Sequence, residues 1–176
     1  MTDLKQTLLQ TINELSNNPA RGQLVFRANT KWIDGVRCSA KVRHFDEVYV
    51  DEPAALGGDD RYMNPVELIL AALGTCQEIM YAAYASVMDI DLDGINVDVK
   101  GNLDIQGLLG LDDNVPAGFS SISYVTNITS AAPNEKIEKL VQQVESHCPV
   151  LDILTRPINV TGKILHNSKE MITAAV

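Results

Sequence analysis

Between Asn64 and Met88 the chain carries a segment that is apolar on nearly every side of a helix, and this segment limits the possible folds most. Asn64 suits an N-cap, Pro65 the first helical position, and Glu67 the third position of a capping box, so the start of the helix is defined locally. A helix apolar all round has to be buried on several sides. A chain of 176 residues has little material with which to surround it. Part of its cover is therefore expected from a second subunit. Length alone would also allow a membrane span, but Thr75, Gln77, Glu78 and Ser86 interrupt the apolar run from Leu68 to Met88. A charge near a bilayer centre costs roughly 2.5–3.5 kcal/mol on insertion scales, which favours a buried helix of a soluble protein.

The segments around this helix follow other periods. Residues 2–17 place Leu4, Leu8, Leu9, Ile12 and Leu15 on one helical face, ending at Asn17-Asn18-Pro19. From Gln23 the pattern alternates: Leu24, Phe26 and Ala28 predict a strand, Asp34-Gly35 a hairpin turn, Val36 to Phe45 a second strand, and Val48 with Val50 a third. After the central helix, Ile95, Val97 and Val99 alternate as a strand. Leu103 to Gly118 reads as a loop or hairpin excursion, and Ser120 to Ser130 as a further strand. A second amphipathic helix carries Ile137, Leu140, Val141, Val144 and Cys148 on one face, and Pro149 ends or kinks it. Pro157 to Leu165 predicts a last strand. The order α-βββ-α-ββ-α-β, without repeats or linkers, is that of one α+β domain over residues 1–176.

Composition narrows the function. Fourteen Lys and Arg against twenty-three Asp and Glu leave a formal charge of -9, which opposes binding to nucleic acid or an anionic membrane. Three scattered cysteines, Cys38, Cys76 and Cys148, do not make a disulfide scaffold, and residues near the N-terminus lack the apolar run of a signal peptide. A reducing, cytoplasmic setting is expected.

In such a setting a pair of thiols on two buried helices has a definite chemistry. A free thiol with a pKa near ~8.5 is only about 3% thiolate at pH 7, and a nearby guanidinium lowers that pKa by roughly 1–3 units. The thiolate attacks a peroxide oxygen and becomes a sulfenic acid, which a second thiol converts to a disulfide. This needs two cysteines whose Cα atoms come within ~7 Å, one cation, and an apolar pocket for the organic part of the peroxide. Each cysteine taken singly is as well read as a small buried hydrophobe, and Cys38, beside Arg37, is left at that reading. Cys76 is mid-helix, so the helix N-terminus cannot activate it, and a cation from elsewhere is required.

The run Asn64-Pro-Val-Glu-Leu-Ile-Leu-Ala-Ala-Leu-Gly-Thr-Cys76, followed by His147-Cys148-Pro-Val150, resembles the paired cysteine motifs of the OsmC/Ohr family of osmotically inducible and organic hydroperoxide resistance proteins. The resemblance covers residues 22–165 and leaves the helix at 2–17 outside. It implies an intertwined homodimer in which antiparallel sheets wrap long buried central helices. It also implies thiol-dependent reduction of organic hydroperoxides, a peroxiredoxin-type activity, with Cys76 peroxidatic and Cys148 resolving. No bound cofactor is implied. The reductant would be an external dithiol such as a lipoyl group. A redox-sensing or binding protein that keeps the fold and thiols without turnover is the alternative.

Two positions depart from the family pattern. The acid expected straight after Asn-Pro is replaced by Val66, with Glu67 one place later. Nine residues, about 2.5 turns or ~13.5 Å of rise, separate Glu67 from Cys76, so they face opposite sides of one helix. Glu67 would serve Cys76 only from another subunit or through a break in the helix, and otherwise acts as the helix cap. Arg37 is the first choice for the activating cation, with Arg27 and Arg43 as alternatives. His147 reads as a surface or satisfied histidine, and no ligand spacing marks a metal site. Gly57-Gly58 lacks the lysine of a phosphate cradle, and Asp59-Asp60 and Asp112-Asp113 read as solvated turns. Gln77 and Glu78, polar in a very apolar helix, need partners: they line the site or satisfy a buried network.

Overall fold

In the computed structural model, which describes residues 3–175, the central helix begins where its capping residues require. The Asn64 side chain accepts the Glu67 N–H at 2.8 Å, and Glu67 Oε2 accepts the Asn64 N–H at 2.8 Å, closing the capping box. Pro65 opens the helix, α2, which spans Pro65–Val87. The N-terminal helix, α1, spans Leu4–Asn17 and is capped by Asp3; the expected start at Thr2 lies outside the described residues. It packs on α2 and is tied to the end of that helix by an ion pair between Lys5 and Asp89.

Three antiparallel sheets complete the α+β architecture. The first is β1 (Asn29–Asp34), β2 (Arg37–Lys41) and β3 (Val48–Val50), in that order. The predicted turn at Asp34-Gly35 joins β1 to β2, with Gly35 at φ 48°. The strand expected at Leu24–Ala28 is not formed. Strand β2 stops at Lys41, paired with Asn29, because the chain turns at Val42–Phe45 with Arg43 at φ 49°. Residues 24–28 are left with no strand to pair with, whatever their alternation.

The second sheet is the long hairpin-like pair β4 (Gly94–Leu103) and β5 (Phe119–Thr129), with Ile95 opposite Ile128 and Val99 opposite Tyr124. The excursion between them holds a single helical turn, α3 (Ile105–Leu108), capped by Asp104. Helix α2 lies against β4. Gly74 makes this possible: a Cβ there would sit 3.3 Å from Val99 Cγ2. Helix α4 (Asn134–His147) packs on α2, and the core is Tyr81, Ala85, Ile90, Leu140 and Val144, flanked by Tyr84, Ile95 and Ile128. A short helix, α5 (Pro149–Thr155), follows at once.

The last predicted strand is shorter than expected and has a partner. Strand β6 covers Thr161–His166 and returns as β7, Lys169–Ala175, through Asn167 and Ser168, both at positive φ. Two left-handed residues form a hairpin turn that glycine usually marks, and Asn-Ser is a weaker signal for it.

By length and composition α2 could cross a membrane, but within the protomer it carries β4, α1, α4 and α5 and holds a buried Gln77 at its middle. That is the environment of a core helix. The protomer nevertheless covers only part of it. Ala72, Thr75, Ile79 and Ala82 form an exposed stripe along α2, and Ile79 is 67% exposed. The β1–β2–β3 sheet has its main contacts within itself, and Phe26 and Trp32 are open to solvent.

Candidate functional site

Cys148 owes its position to the proline after it. Pro149 has no N–H and disfavours helical backbone at the residue before it. Cys148 accordingly leaves the helix, at φ -69° and ψ 112°, as the C-cap of α4 and the N-cap of α5. Its N–H still donates to the Val144 carbonyl at 2.9 Å, and its carbonyl accepts the Asp152 N–H at 2.9 Å. The side chain is 1% exposed. It points to α2, where its thiol has the half-buried Cys76 thiol as a neighbour close enough to shift its ionisation. Two sulfur atoms seventy-two positions apart in the chain are thus neighbours, and both are reduced.

Burial pushes the Cys148 thiol above its usual range. The N–H groups of Leu151 and Val150 pull it back, but the neighbouring Cys76 adds to the rise. The neutral thiol is therefore favoured at pH 7, and its reactivity should increase only as pH passes above the ordinary thiol range. Alkylation with iodoacetamide at pH 7, followed by mass spectrometry, is expected to label Cys148 last of the three cysteines. Labelling of Cys148 at the rate of Cys38 would contradict this.

Beside the pair lies a cavity of about 490 Å³ between the first turns of α2, the start of β5 and α5. Val66, Ile69, Leu73, Phe119, Ile122 and Leu151 line it. Leu73 is one helical turn before Cys76, and Leu151 follows Cys148 within the first turn of α5, so the cavity lies near the thiols although neither cysteine lines it. Its walls are mainly apolar, with Ser120, Ser121 and Thr155 at intervals.

The other predicted residues are not gathered here within the protomer. Glu67 is committed to the capping box, on a continuous helix nine residues from Cys76. Arg37 makes two hydrogen bonds to Asp34, at 2.8 and 2.6 Å, across the base of the β1–β2 turn. That hydrogen bond and the charge of Asp34 raise its pKa further, so it stays cationic. Arg43 lies over the Phe45 ring, 4.6 Å from its centroid, and Arg27 is exposed in the unpaired segment. Cys38 sits on β2 between Trp32 and Val50, in a different sheet from the pair. His147 donates from Nδ1 to the Gln143 carbonyl at 2.8 Å and faces Tyr84, with ring centroids 5.7 Å apart. Among the described residues, no three His, Cys, Asp or Glu side chains group as a metal site.

Glu78 finds a structural use: its Oε1 accepts the Val97 N–H at 3.2 Å, on the edge of β4. Gln77 does not. It is 0% exposed, and neither Oε1 nor Nε2 has a hydrogen-bond partner. The amide approaches the Tyr124 hydroxyl without reaching bonding geometry. Tyr124 instead donates to Glu145 Oε2 at 2.5 Å, and burial together with that carboxylate pushes its pKa up to about 12.

Sequence reading missed two residues of note. Tyr124 alternated with its neighbours as a strand residue should, and nothing local marked its pairing with α4. Asp51, just after β3, carries no local sign of its role. Its carboxylate is wholly buried and accepts N–H groups of Glu52, Asp59 and Arg61, at 2.9, 3.1 and 3.2 Å. Burial pushes this carboxyl up, but the three N–H groups bring it below the ordinary range. The loop closes tightly around it: a Cβ on Gly58 would fall 1.7 Å from the Glu52 carbonyl oxygen. Gly57-Gly58 thus serves a fold-back against Asp51.

Comparison with known proteins agrees with this architecture. The family model described as OsmC-like protein matches residues 57–163, more than half the chain. The fold is similar to that of an OsmC-like protein from Mycoplasma pneumoniae, with TM-score 0.65, 16% identity, and coverage of 75% of this chain and 88% of that one. It is also similar to the organic hydroperoxide resistance protein OsmC from Legionella pneumophila (TM-score 0.57, 21% identity, 76% and 92% covered). An organic hydroperoxide resistance protein from Elizabethkingia anophelis gives TM-score 0.58 at 20% identity, with 76% and 91% covered. No curated protein matches in sequence.

Proposed function

The chain belongs to the OsmC-like protein family, and we propose that it is a thiol-dependent peroxidase that reduces organic hydroperoxides to alcohols. The observation that carries this reading is the pair of free thiols, Cys76 and Cys148, brought together as neighbours near a mainly apolar cavity. The Cys76 thiolate attacks the outer oxygen of the hydroperoxide. An S–O bond forms, the O–O bond breaks, and the alkoxide takes up a proton to leave as the alcohol. Cys148 sulfur then attacks Cys76 sulfur: the S–S bond forms, the S–O bond breaks, and the proton lost by Cys148 leaves with that oxygen as water. An external dithiol, of the kind a lipoyl group supplies, reduces the disulfide. The assignment of nucleophile and resolver follows exposure. Cys76 is half-buried, whereas Cys148 is sealed and its neutral thiol is favoured.

The working unit in this proposal is a homodimer. The uncovered stripe on α2 and the β1–β2–β3 sheet, which packs on little of its own protomer, support it. Arg37 rides on that sheet and remains the choice for the activating cation, reaching a thiol pair only across such a dimer or after releasing Asp34.

A coupled assay with cumene hydroperoxide or tert-butyl hydroperoxide and a dithiol tests the reading. Steady consumption of the organic peroxide, faster than that of hydrogen peroxide, is expected from the apolar walls. Reversible formation of a Cys76–Cys148 disulfide without peroxide turnover would instead identify a redox-sensing protein.

A further inference from the structure

The unpartnered amide of Gln77, the residue after Cys76 in α2, is the least explained feature of that helix. A buried amide with neither hydrogen bond made is costly, and native structures rarely keep one without use. Its level in the fold follows from the packing around it. Leu140 and Val144 of α4 pack with Tyr81 and Ala85, whereas Leu151 and Leu154 of α5 share a cavity with Val66, Ile69 and Leu73. Residues 140–154 therefore run antiparallel to residues 66–85. Cys148, between these two contact zones, falls at the level of Cys76 and Gln77.

The protomer alone already closes Gln77 off completely. A second copy of the chain has no access to the amide, so dimer formation does not supply the absent partner. Tyr124 is at most an acceptor for Nε2, because its hydroxyl proton is engaged by Glu145 at 2.5 Å, and it offers Oε1 no donor. A small hydroxyl group at this level would both donate to Oε1 and accept from Nε2.

We propose that this group is the hydroxyl of the Cys76 sulfenic acid, and that Gln77 holds it during disulfide formation. The inference rests on the peroxidase reading above. Oxidation of Cys76 places one new oxygen and one proton beside the thiol pair. The S–O–H donates to Gln77 Oε1, and the oxygen accepts from Nε2, satisfying both orphaned atoms. Held in this way, the oxygen is directed away from Cys148 as that sulfur attacks. It departs as water when it receives the Cys148 proton. Gln77 thus acts on the second step and leaves the first untouched.

The test uses the full-length protein with one equivalent of cumene hydroperoxide. Sulfenic acid is trapped with dimedone, and disulfide formation is followed by mass spectrometry. Gln77→Leu removes the amide at nearly constant size, and Gln77→Met guards against a packing fault from the branched side chain. Both are expected to melt at or above the wild-type temperature, because an unpaired polar group is replaced by an apolar one. Both should consume the first equivalent of peroxide at the wild-type rate. Disulfide formation should slow by about tenfold, the loss of one good hydrogen bond in the transition state, with a matching rise in dimedone adduct. Wild-type disulfide rates in both variants would overturn the inference. Cys148→Ser separates this failure from failure of the parent reading: it cannot form the disulfide, so dimedone labelling of Cys76 shows whether sulfenic acid arises at all. No label there would sink the peroxidase reading and the role of Gln77 together.

Discussion

Cys76→Ser is expected to abolish organic hydroperoxide consumption, by about 10³-fold or more in kcat/KM, with fold and melting temperature little changed. A serine hydroxyl at neutral pH has none of the thiolate character that attack on a peroxide oxygen requires. Its smaller atom at a half-buried position removes little packing. Cys148→Ser should behave differently. The first equivalent of peroxide is still reduced, because Cys76 is intact, but the sulfenic acid has no resolving partner. Steady turnover should then fall by about tenfold or more, and excess peroxide should drive Cys76 to the sulfinic acid. Stopped-flow consumption of cumene hydroperoxide, followed by intact mass, distinguishes the two outcomes. Equal loss of the first turnover in both variants would mean that the roles are not divided between nucleophile and resolver. Unchanged turnover in Cys76→Ser would end the thiol mechanism.

The fold and the candidate site were legible in the sequence where the backbone is decided locally. Asn64, Pro65 and Glu67 act within one turn, so a capping box read from three residues is found in the structure at 2.8 Å on both bonds. Cys148-Pro149 is local too: the proline alone sets the extended backbone that takes the sulfur out of α4. The approach of Cys148 to Cys76 is not local, and motif resemblance, rather than spacing, pointed to it. Where long-range pairing decides, local pattern failed in both directions. Residues 24–28 alternate correctly yet lack a partner strand, because Arg43 turns the chain at the end of β2. Lys169–Ala175 went unread as a strand, yet it pairs with β6. Arg37 follows the same logic. Its neighbour Asp34, on the other side of a two-residue turn, engages the guanidinium that sequence reading had assigned to Cys76. Asp51 was invisible for another reason: the burial of a polar side chain depends on what folds over it, and its own sequence neighbourhood does not record that. Gln77 stands out in the sequence as a polar residue in an apolar helix, but its lack of a partner does not.

Ile79→Arg is expected to separate the proposed dimer into monomers. In the protomer Ile79 is 67% exposed on the bare stripe of α2, the helix whose apolar character first called for a second subunit. Covering that side chain in a two-fold interface contributes roughly 1.5–3 kcal/mol per copy. Arginine forfeits this in both copies, and a two-fold axis places the two new charges on facing surfaces, adding desolvation and like-charge repulsion. Each 1.4 kcal/mol is about a tenfold change in affinity, so the combined loss should weaken association by several powers of ten. Size-exclusion chromatography with light scattering at micromolar protein should show the wild type near twice the 19.2 kDa chain mass and the variant near the chain mass. Exposed apolar surface on the resulting monomer should lower its melting temperature and bind a hydrophobic dye. If the wild type already runs at the single-chain mass, α2 is not an interface. An arginine variant that stays dimeric would place the contact on another face, such as the β1–β2–β3 sheet. If the monomeric variant also loses peroxide turnover with both cysteines reduced and accessible, the activating group comes from the second copy, and Arg37→Met in the wild-type background should reproduce that loss without changing the mass.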